Sequence, residues 1–182
     1  MNNQMIKRIS GILSVTALML STAVQAADSA VITINGRVIA NTCTIDSNSA
    51  SQIITLNDVA DRDIRGKGKT SGEKEVTINL KDCGAQATAV TVTASGAADA
   101  DDNTAFRNVI TESNGGATGV GLYFYQESST AKFTPDGAAT QSRQLIPNSD
   151  NVLTYKAAYT GTKDTVTAGA FSTVINMMFE YQ

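Results

Sequence analysis

The chain has 182 residues, of which 42% are apolar and 17% are charged, with 14 basic and 17 acidic side chains. These values are typical of one globular domain with a core of its own. The sequence contains no histidine, which excludes Ser-His-Asp and Cys-His catalytic pairs and every metal site that uses imidazole. Its modest acidic charge gives no support to a nucleic-acid-binding surface. We therefore expect no catalytic residues, no metal site and no cofactor.

The first segment, residues 1–26, has the pattern of a secretory signal peptide. A positive n-region, Lys7-Arg8, precedes an apolar run from Ile9 to Leu20, and a small-x-small cleavage site ends at Ala26. A weaker cleavage site ends at Ala23. The alternative interpretation is a transmembrane anchor, which is disfavoured because a span needs about 20 predominantly apolar residues.

Cys43 and Cys83 are the two cysteines of the chain. Because export places them in an oxidising compartment, we expect them to form a disulfide. Two free thiols or a soft-metal site are the alternatives, and no Cys-x-x-Cys spacing supports redox chemistry.

Beyond the signal peptide, apolar and polar residues alternate with period two, which predicts half-buried β-strands. The alternating apolar sets are, in chain order, Val38 and Ala40; Ile54 and Leu56; Val76, Ile78 and Leu80; Val90, Val92 and Ala94; Val120, Leu122 and Phe124; Leu153, Tyr155, Ala157 and Tyr159; and Phe171, Ile175, Met177, Phe179 and Tyr181 on a last strand. Polar, Gly-rich connections separate them, among them residues 61–72 and 134–137, and a short turn near 57–61 is the one helical candidate. Seven or eight short strands with a disulfide predict an all-β, antiparallel β-sandwich.

Both ends of the mature chain have the pattern of strands without a partner. Ala30, Ile32 and Ile34 form an alternating set close to the predicted mature N-terminus, where short apolar segments fray unless something holds them. The sequence finishes on the last alternating strand, and a long apolar edge strand invites pairing with another chain. Two interpretations stay open: the N-terminal segment adds to the sheet of a second chain, or it is the first strand of its own domain.

Five short motifs and a C-terminal signature together carry a family resemblance. The motifs are Ile34-Asn35-Gly36-Arg37-Val38 ahead of Cys43, Ile78-Asn79-Leu80-Lys81-Asp82-Cys83, Ala117-Thr118-Gly119-Val120-Gly121-Leu122, Thr134-Pro135-Asp136-Gly137, and Asn151-Val152-Leu153-Thr154-Tyr155-Lys156-Ala157-Ala158-Tyr159. In the signature Tyr181 is penultimate and Gly169 lies fourteenth from the end, with alternating apolar residues between them. In this order, the chain resembles the pilins of the bacterial chaperone–usher pathway, close to the major subunits of type 1 and long polar fimbriae.

The resemblance implies an incomplete immunoglobulin-like β-sandwich that lacks its last strand and is completed by donor-strand exchange. It implies a signal peptide at 1–26, an N-terminal donor-strand extension at 27–36 and a pilin domain at 37–182. The implied donor positions are Ala30, Ile32 and Ile34, although relatives usually carry Gly where this chain has Ala30. The implied acceptor groove and chaperone-binding strand comprise Gly169, Phe171, Ile175, Met177, Phe179, Tyr181 and the carboxylate of Gln182.

The implied function is that of a structural, non-enzymatic subunit of a bacterial surface fimbria that supports cell adhesion. The implied partners are identical subunits, a periplasmic chaperone and an outer-membrane usher, with a host receptor bound through a separate tip subunit and no nucleic acid. The implied route runs through the periplasm to the cell surface. The alternative is a minor adaptor or adhesive subunit of the same fimbria that binds a host receptor.

Three further clusters are interpreted as structural. Asp99, Asp101 and Asp102 lack the Gly and the distal Glu of an EF-hand calcium loop. The basic residues of segment 62–69 are accompanied by neighbouring acidic residues and no aromatics. Four tyrosines are expected in the core or on a packing surface between subunits rather than stacked on a sugar: Tyr123, Tyr125, Tyr155 and Tyr159.

Overall fold

The computed structural model describes residues 30–37 and 42–182. The chain divides into two units between Arg37 and Val38. Residues 30–37 form no helix or strand, and their side chains are exposed. The predicted signal peptide and the predicted alternation of Val38 with Ala40 lie outside the described residues. The boundaries that divide the chain at 1–26, 27–36 and 37–182 stay predictions.

Residues 42–182 form two antiparallel sheets. Their strands are β1 (Thr44–Ile45), β2 (Thr70–Lys81), β3 (Ala89–Gly96), β4 (Phe106–Arg107), β5 (Val120–Tyr125), β6 (Lys132–Phe133), β7 (Asp136–Gln144), β8 (Asn151–Gly161) and β9 (Ile175–Tyr181). The first sheet has the order β1-β2-β8-β5-β4, with β6 paired to β5, and the second has the order β7-β3-β9. Two four-residue helices, α1 (Ser47–Ala50) and α2 (Asp61–Ile64), and a 3₁₀ turn at Glu112–Asn114 lie in the connections.

β8 shows why alternation predicts the first sheet correctly. It pairs with β2 on one side and with β5 on the other. Asn151, Leu153 and Tyr155 are buried, whereas Val152 is 53% exposed and Thr154 is half-buried. A strand with one face on the core needs this period of two.

The core lies between the two sheets. Leu80, Leu153 and Phe124 of the first sheet belong to one hydrophobic cluster with Val90 and Val92 of the second. Burial of each such side chain contributes about 1.5–3 kcal/mol. The sandwich predicted from the sequence is therefore present.

The predicted disulfide between Cys43 and Cys83 is also present. It belongs to the core cluster, and it links the start of the domain to the end of β2. The Asn151 amide donates a hydrogen bond of 3.4 Å to Cys83 Sγ and two more to the main-chain oxygens of Ile146 and Ser149. Asn151 thus fixes the β7–β8 connection against the disulfide.

Several predicted elements differ from the structure. Residues 52–60, which contain the alternating pair Ile54 and Leu56, form no strand, because no strand of the described chain pairs with them. β7 occupies sequence that carries no apolar alternation, and its first residues were assigned to the connection 134–137. β2 begins at Thr70, inside the predicted connection 61–72. The helical turn predicted near 57–61 begins only at Asp61.

Candidate subunit-docking groove

β9 is an edge strand of the second sheet. It pairs with β3 along its whole length, from Tyr181 opposite Val90 to Ile175 opposite Gly96. In residues 42–182 no strand pairs with the other edge of β9. A seven-residue strand is about 23 Å long, so this edge presents a substantial row of backbone N–H and C=O groups without strand partners.

The two faces of β9 differ as the sequence predicted. Ile175, Met177, Phe179 and Tyr181 share one face, are half-buried and pack against the core. Asn176, Met178 and Glu180 lie on the other face and are exposed. The period-two geometry of a strand brings the four predicted groove residues together.

An open groove of about 960 Å³ lies beside this apolar face. Its walls include Met177 and Phe179 of β9 and, from the first sheet, Val76, Ile78 and Phe124. The last two also belong to the buried core cluster, so the groove reaches the core itself. Eight hydrophobic residues pack against the core and yet stay only partly buried: Ile45, Leu56, Val76, Phe171, Ile175, Met177, Phe179 and Tyr181.

The segment before β9 forms one end of the groove. Gly169 lies so close to residues 115–117 that an added Cβ would stand 2.4 Å from the Ala117 nitrogen, which no larger residue tolerates without backbone movement. Phe171 was predicted on the last strand, but that strand begins four residues later, at Ile175. Its ring packs edge-on against Tyr159, with 5.2 Å between ring centroids. Phe171 therefore lines the groove from a connection rather than from the strand.

Sequence reasoning missed the wall opposite β9. Ile45, Leu56 and Val76 line the groove, although none was predicted as a groove residue. For Leu56, its alternation with Ile54 was the sequence signal that could have indicated a groove residue. That alternation was interpreted as a strand, whereas the segment lines the groove without belonging to a sheet. Val76 was recognised as an inward-facing residue of β2, but sequence alone does not show that nothing covers it.

Tyr181, the last residue of β9, and Gln182, which follows it, differ in their hydrogen bonding. The main-chain oxygen of Gln182 accepts hydrogen bonds from the N–H groups of Thr88 and Ala89, at 2.9 and 3.2 Å, and from the Thr88 hydroxyl. The Tyr181 hydroxyl is buried and has no hydrogen-bond partner among the described residues, and burial raises the pKa of Tyr181.

The predicted donor residues lie in the first unit. Ile32 is 81% exposed and Ile34 is 88% exposed, and Ala30 is exposed as well. The segment forms neither helix nor strand.

The acidic cluster is engaged in hydrogen bonds within the domain. Asp99 accepts from the N–H groups of Asp101 and Asp102. The Tyr123 hydroxyl donates to Asp102 Oδ2 at 2.6 Å, and the Thr104 hydroxyl donates to Asp102 Oδ1 at 2.7 Å. Desolvation raises the pKa of Asp102, but the hydrogen bonds from Tyr123 and Thr104 together with the charge of Lys132 outweigh it and leave the pKa below its usual value.

The basic loop and the core tyrosine Tyr155 have structural roles. In the basic loop, Arg65 pairs with Asp61 and Arg62 pairs with Asp63 at 3.7 Å, so its arginines have acidic partners within the loop. Tyr155 is buried in the core cluster, and burial raises its pKa.

Comparison with known proteins defines the class. A family model described as "Fimbrial protein" matches residues 32–182, and the chain belongs to this family. The Fimbrial subunit ElfA of Escherichia coli (strain K12) is 34% identical over 174 residues, which cover 92% of this chain and 94% of ElfA. Long polar fimbria protein A of Salmonella typhimurium is 33% identical over 187 residues, which cover 98% of each chain.

A solved structure shows the same fold. The crystal structure of the P pilus rod subunit PapA is similar with a TM-score of 0.63 and 23% sequence identity, over 77% of this chain and 99% of that one. The two chains share an immunoglobulin-like sandwich of two sheets. The family match and the fimbrial relatives identify this chain as a structural subunit of a bacterial surface fimbria. The resemblance inferred from the sequence motifs is confirmed. Among the described residues, no helix has the length and apolar character needed to cross a membrane.

Proposed function

We propose that this chain polymerises by donor-strand exchange, in which the segment carrying Ala30, Ile32 and Ile34 of one copy inserts beside β9 of another copy. The observation that carries the proposal is the groove. A sandwich with both sheets formed is open to its core along an edge strand whose outer backbone groups have no strand partner in residues 42–182.

The chemistry of the segment suits this groove. A strand added to the edge of β9 would pair with its backbone, and its alternate side chains would point into the groove. Ile32 and Ile34 are β-branched, which favours strand conformation, and both are more than four-fifths exposed. Burial of each isoleucine would contribute about 1.5–3 kcal/mol. Ala30 supplies a smaller side chain to the third position.

The same groove supports a chaperone partner. Partly buried apolar side chains open to solvent are a hazard for an unassembled subunit. A periplasmic chaperone that lends a strand to β9 would cover them until an outer-membrane usher catalyses the exchange, and basic chaperone residues would meet the carboxylate of Gln182. The subunit would follow this route after loss of residues 1–26, would have no enzymatic role, and would leave receptor binding to a separate tip subunit.

Neighbouring residues of the proposed donor segment provide a matched test. Ile32→Asp places a charge on the face that would enter the groove, whereas Thr33→Asp places the same charge on the opposite face. Fimbriae from each strain are dissolved in SDS without boiling, because strand-exchanged polymers separate slowly. We expect Ile32→Asp to shorten the ladder of oligomers strongly and Thr33→Asp to leave it near the wild-type length. Equal ladders from the two variants would contradict the proposal.

The position of the subunit in the organelle needs a separate measurement. A shaft subunit dominates the protein content of sheared fimbriae, whereas a minor adaptor or adhesive subunit contributes a small fraction. We expect this chain to form the dominant band.

A further inference from the structure

The sequence contains two Asn-Gly pairs in different structural settings. Asn35-Gly36 follows the proposed donor residues, and Asn114-Gly115 lies at the end of the 3₁₀ turn. The chemistry available to the two pairs is the same, so any difference between them must come from the surrounding structure.

An asparagine that precedes a glycine can deamidate without an enzyme. The main-chain nitrogen of the glycine attacks the side-chain amide carbon, and a five-membered imide forms while the side-chain nitrogen leaves as ammonia with the proton of the attacking N–H. Water then adds to one of the two imide carbonyl carbons, and the ring opens to aspartate or to isoaspartate. Glycine permits the attack because it has no Cβ to shield its nitrogen and because its backbone reaches the required conformation without strain.

At Asn35 nothing in the described chain opposes this reaction. Both residues of the pair are exposed and lie outside helix and strand. No described residue accepts a hydrogen bond from the Gly36 N–H. An ideal Cβ at Gly36 would meet no atom of the described residues within 4 Å, so none of them crowds this glycine.

At Asn114 both reacting groups are held. The Gly115 N–H donates to the main-chain oxygen of Glu112 at 2.9 Å, so the attacking group is engaged in a hydrogen bond. The Asn114 amide donates to the Thr111 hydroxyl at 3.0 Å, and the Asn114 N–H donates to the Thr111 main-chain oxygen at 2.9 Å. These bonds must open before the ring can form.

We propose that Asn35 is a site of deamidation, which converts it to aspartate and isoaspartate in the unassembled subunit, while Asn114 remains asparagine. Isoaspartate adds one carbon to the main chain directly after Ile34, and either product adds a negative charge there. The conversion is a chemical record of the time that a subunit has spent unassembled. Its suppression on assembly rests on the proposed function, because a donor segment fixed in a neighbouring sheet has lost the freedom that ring closure needs.

The test follows both asparagines by peptide mapping and mass spectrometry during incubation of the purified chaperone-bound subunit at mildly alkaline pH. The readouts are the mass increase from replacement of an amide NH₂ by OH and the chromatographic separation of aspartyl from isoaspartyl peptides. We expect conversion at Asn114 to be about tenfold slower than at Asn35 or slower still, since its hydrogen bonds must open first. Gly36→Ala, for which the structure has space, should suppress conversion at Asn35 alone. Equal rates at the two sites, or no conversion at Asn35, would overturn the proposal.

A parallel incubation of intact fimbriae separates this proposal from the proposed function. Rapid conversion at Asn35 in the subunit with slow conversion in fimbriae supports both. Rapid conversion in both samples supports the modification site and contradicts insertion of this segment into a neighbour. Slow conversion in both samples contradicts the modification site.

Discussion

Phe179 lies directly opposite Val92 across the β9–β3 ladder, yet the two side chains differ in burial. Val92 is fully buried in the core cluster, whereas Phe179 is only half-buried and lines the open groove. Val92 has a strand on each side, and Phe179 has one on a single side. The difference within one residue pair locates the place where the sandwich lacks a strand.

Phe179→Asp should block assembly. The substitution removes an apolar groove wall and puts a charge where an inserted strand would exclude water, and burial of an unpaired charge is strongly unfavourable. Met178→Asp is the matched control, because Met178 is the neighbouring residue on the opposite, solvent-facing side of β9 and is 60% exposed. The measurement is the yield of fimbriae sheared from cells.

We expect Met178→Asp to keep most of the wild-type yield and Phe179→Asp to lose nearly all of it. A normal yield of fimbriae from Phe179→Asp would mean that the groove face of β9 is not a subunit contact.

The sequence predicts those strands in which buried and exposed positions alternate, because apolar and polar residues then alternate with a period of two. β8 and β9 alternate because one face meets the core, and Phe179 was predicted correctly for that reason. β7 was missed because its half-buried positions are Gly137, Ala139 and Gln141, which supply no large apolar side chains and so no apolar period. Residues 52–60 show the opposite case, since the alternation of Ile54 with Leu56 records contact with an apolar groove and not membership of a sheet.

The groove as a whole was predictable only through family resemblance. Alternation identifies which side chains of β9 face inward, but it carries no information about what lies across from them. The gap between Leu56 and β9 depends on packing of segments distant in sequence, and local pattern does not encode it.

Cys43→Ser should reduce the amount of folded subunit. The disulfide belongs to the core cluster and joins two positions that are 40 residues apart in the sequence. Loss of a native disulfide typically costs about 2–5 kcal/mol, and this fold has an open core before assembly. The measurement is the steady-state level of the subunit in the periplasm, with urea unfolding of any protein recovered.

The double variant Cys43→Ser with Cys83→Ser is the control for the effect of one free thiol. We expect both variants to be depleted to a similar degree. Wild-type levels of the double variant would show that the bond contributes little to folding.

Asp102→Asn should destabilise the domain at neutral pH and not at acid pH. The pKa of Asp102 lies below its ordinary value in the folded state, so the ionised form is stabilised by folding. That stabilisation is present above the unfolded-state pKa and is lost as the pH falls through the lower folded-state pKa. Hydrogen bonds to a charged acceptor exceed neutral ones by about 1 kcal/mol. Because Asp102 is only partly buried, solvent screening reduces this difference, and we expect a loss below about 1 kcal/mol at pH 7.

Urea unfolding of the subunit across a pH series measures this effect. Asp136→Asn is a comparison at an exposed turn, where the carboxylate accepts hydrogen bonds from Thr134 and Ala138 and the pKa is also lowered, but where solvent screens the charge. We expect the difference in unfolding free energy between wild type and Asp102→Asn to shrink as the pH falls below about 4. A difference that stays constant there would show that the Tyr123 contact does not depend on the charge of Asp102.

A reconstruction of the native fimbria by electron microscopy tests the central claim most directly. The account predicts continuous density for residues 30–34 along the outer edge of β9 of a neighbouring subunit, with Ile32 and Ile34 directed into the groove between β9 and the first sheet. Density that places these residues in the sheet of their own subunit, or a neighbouring subunit whose groove is filled by another segment, would contradict it.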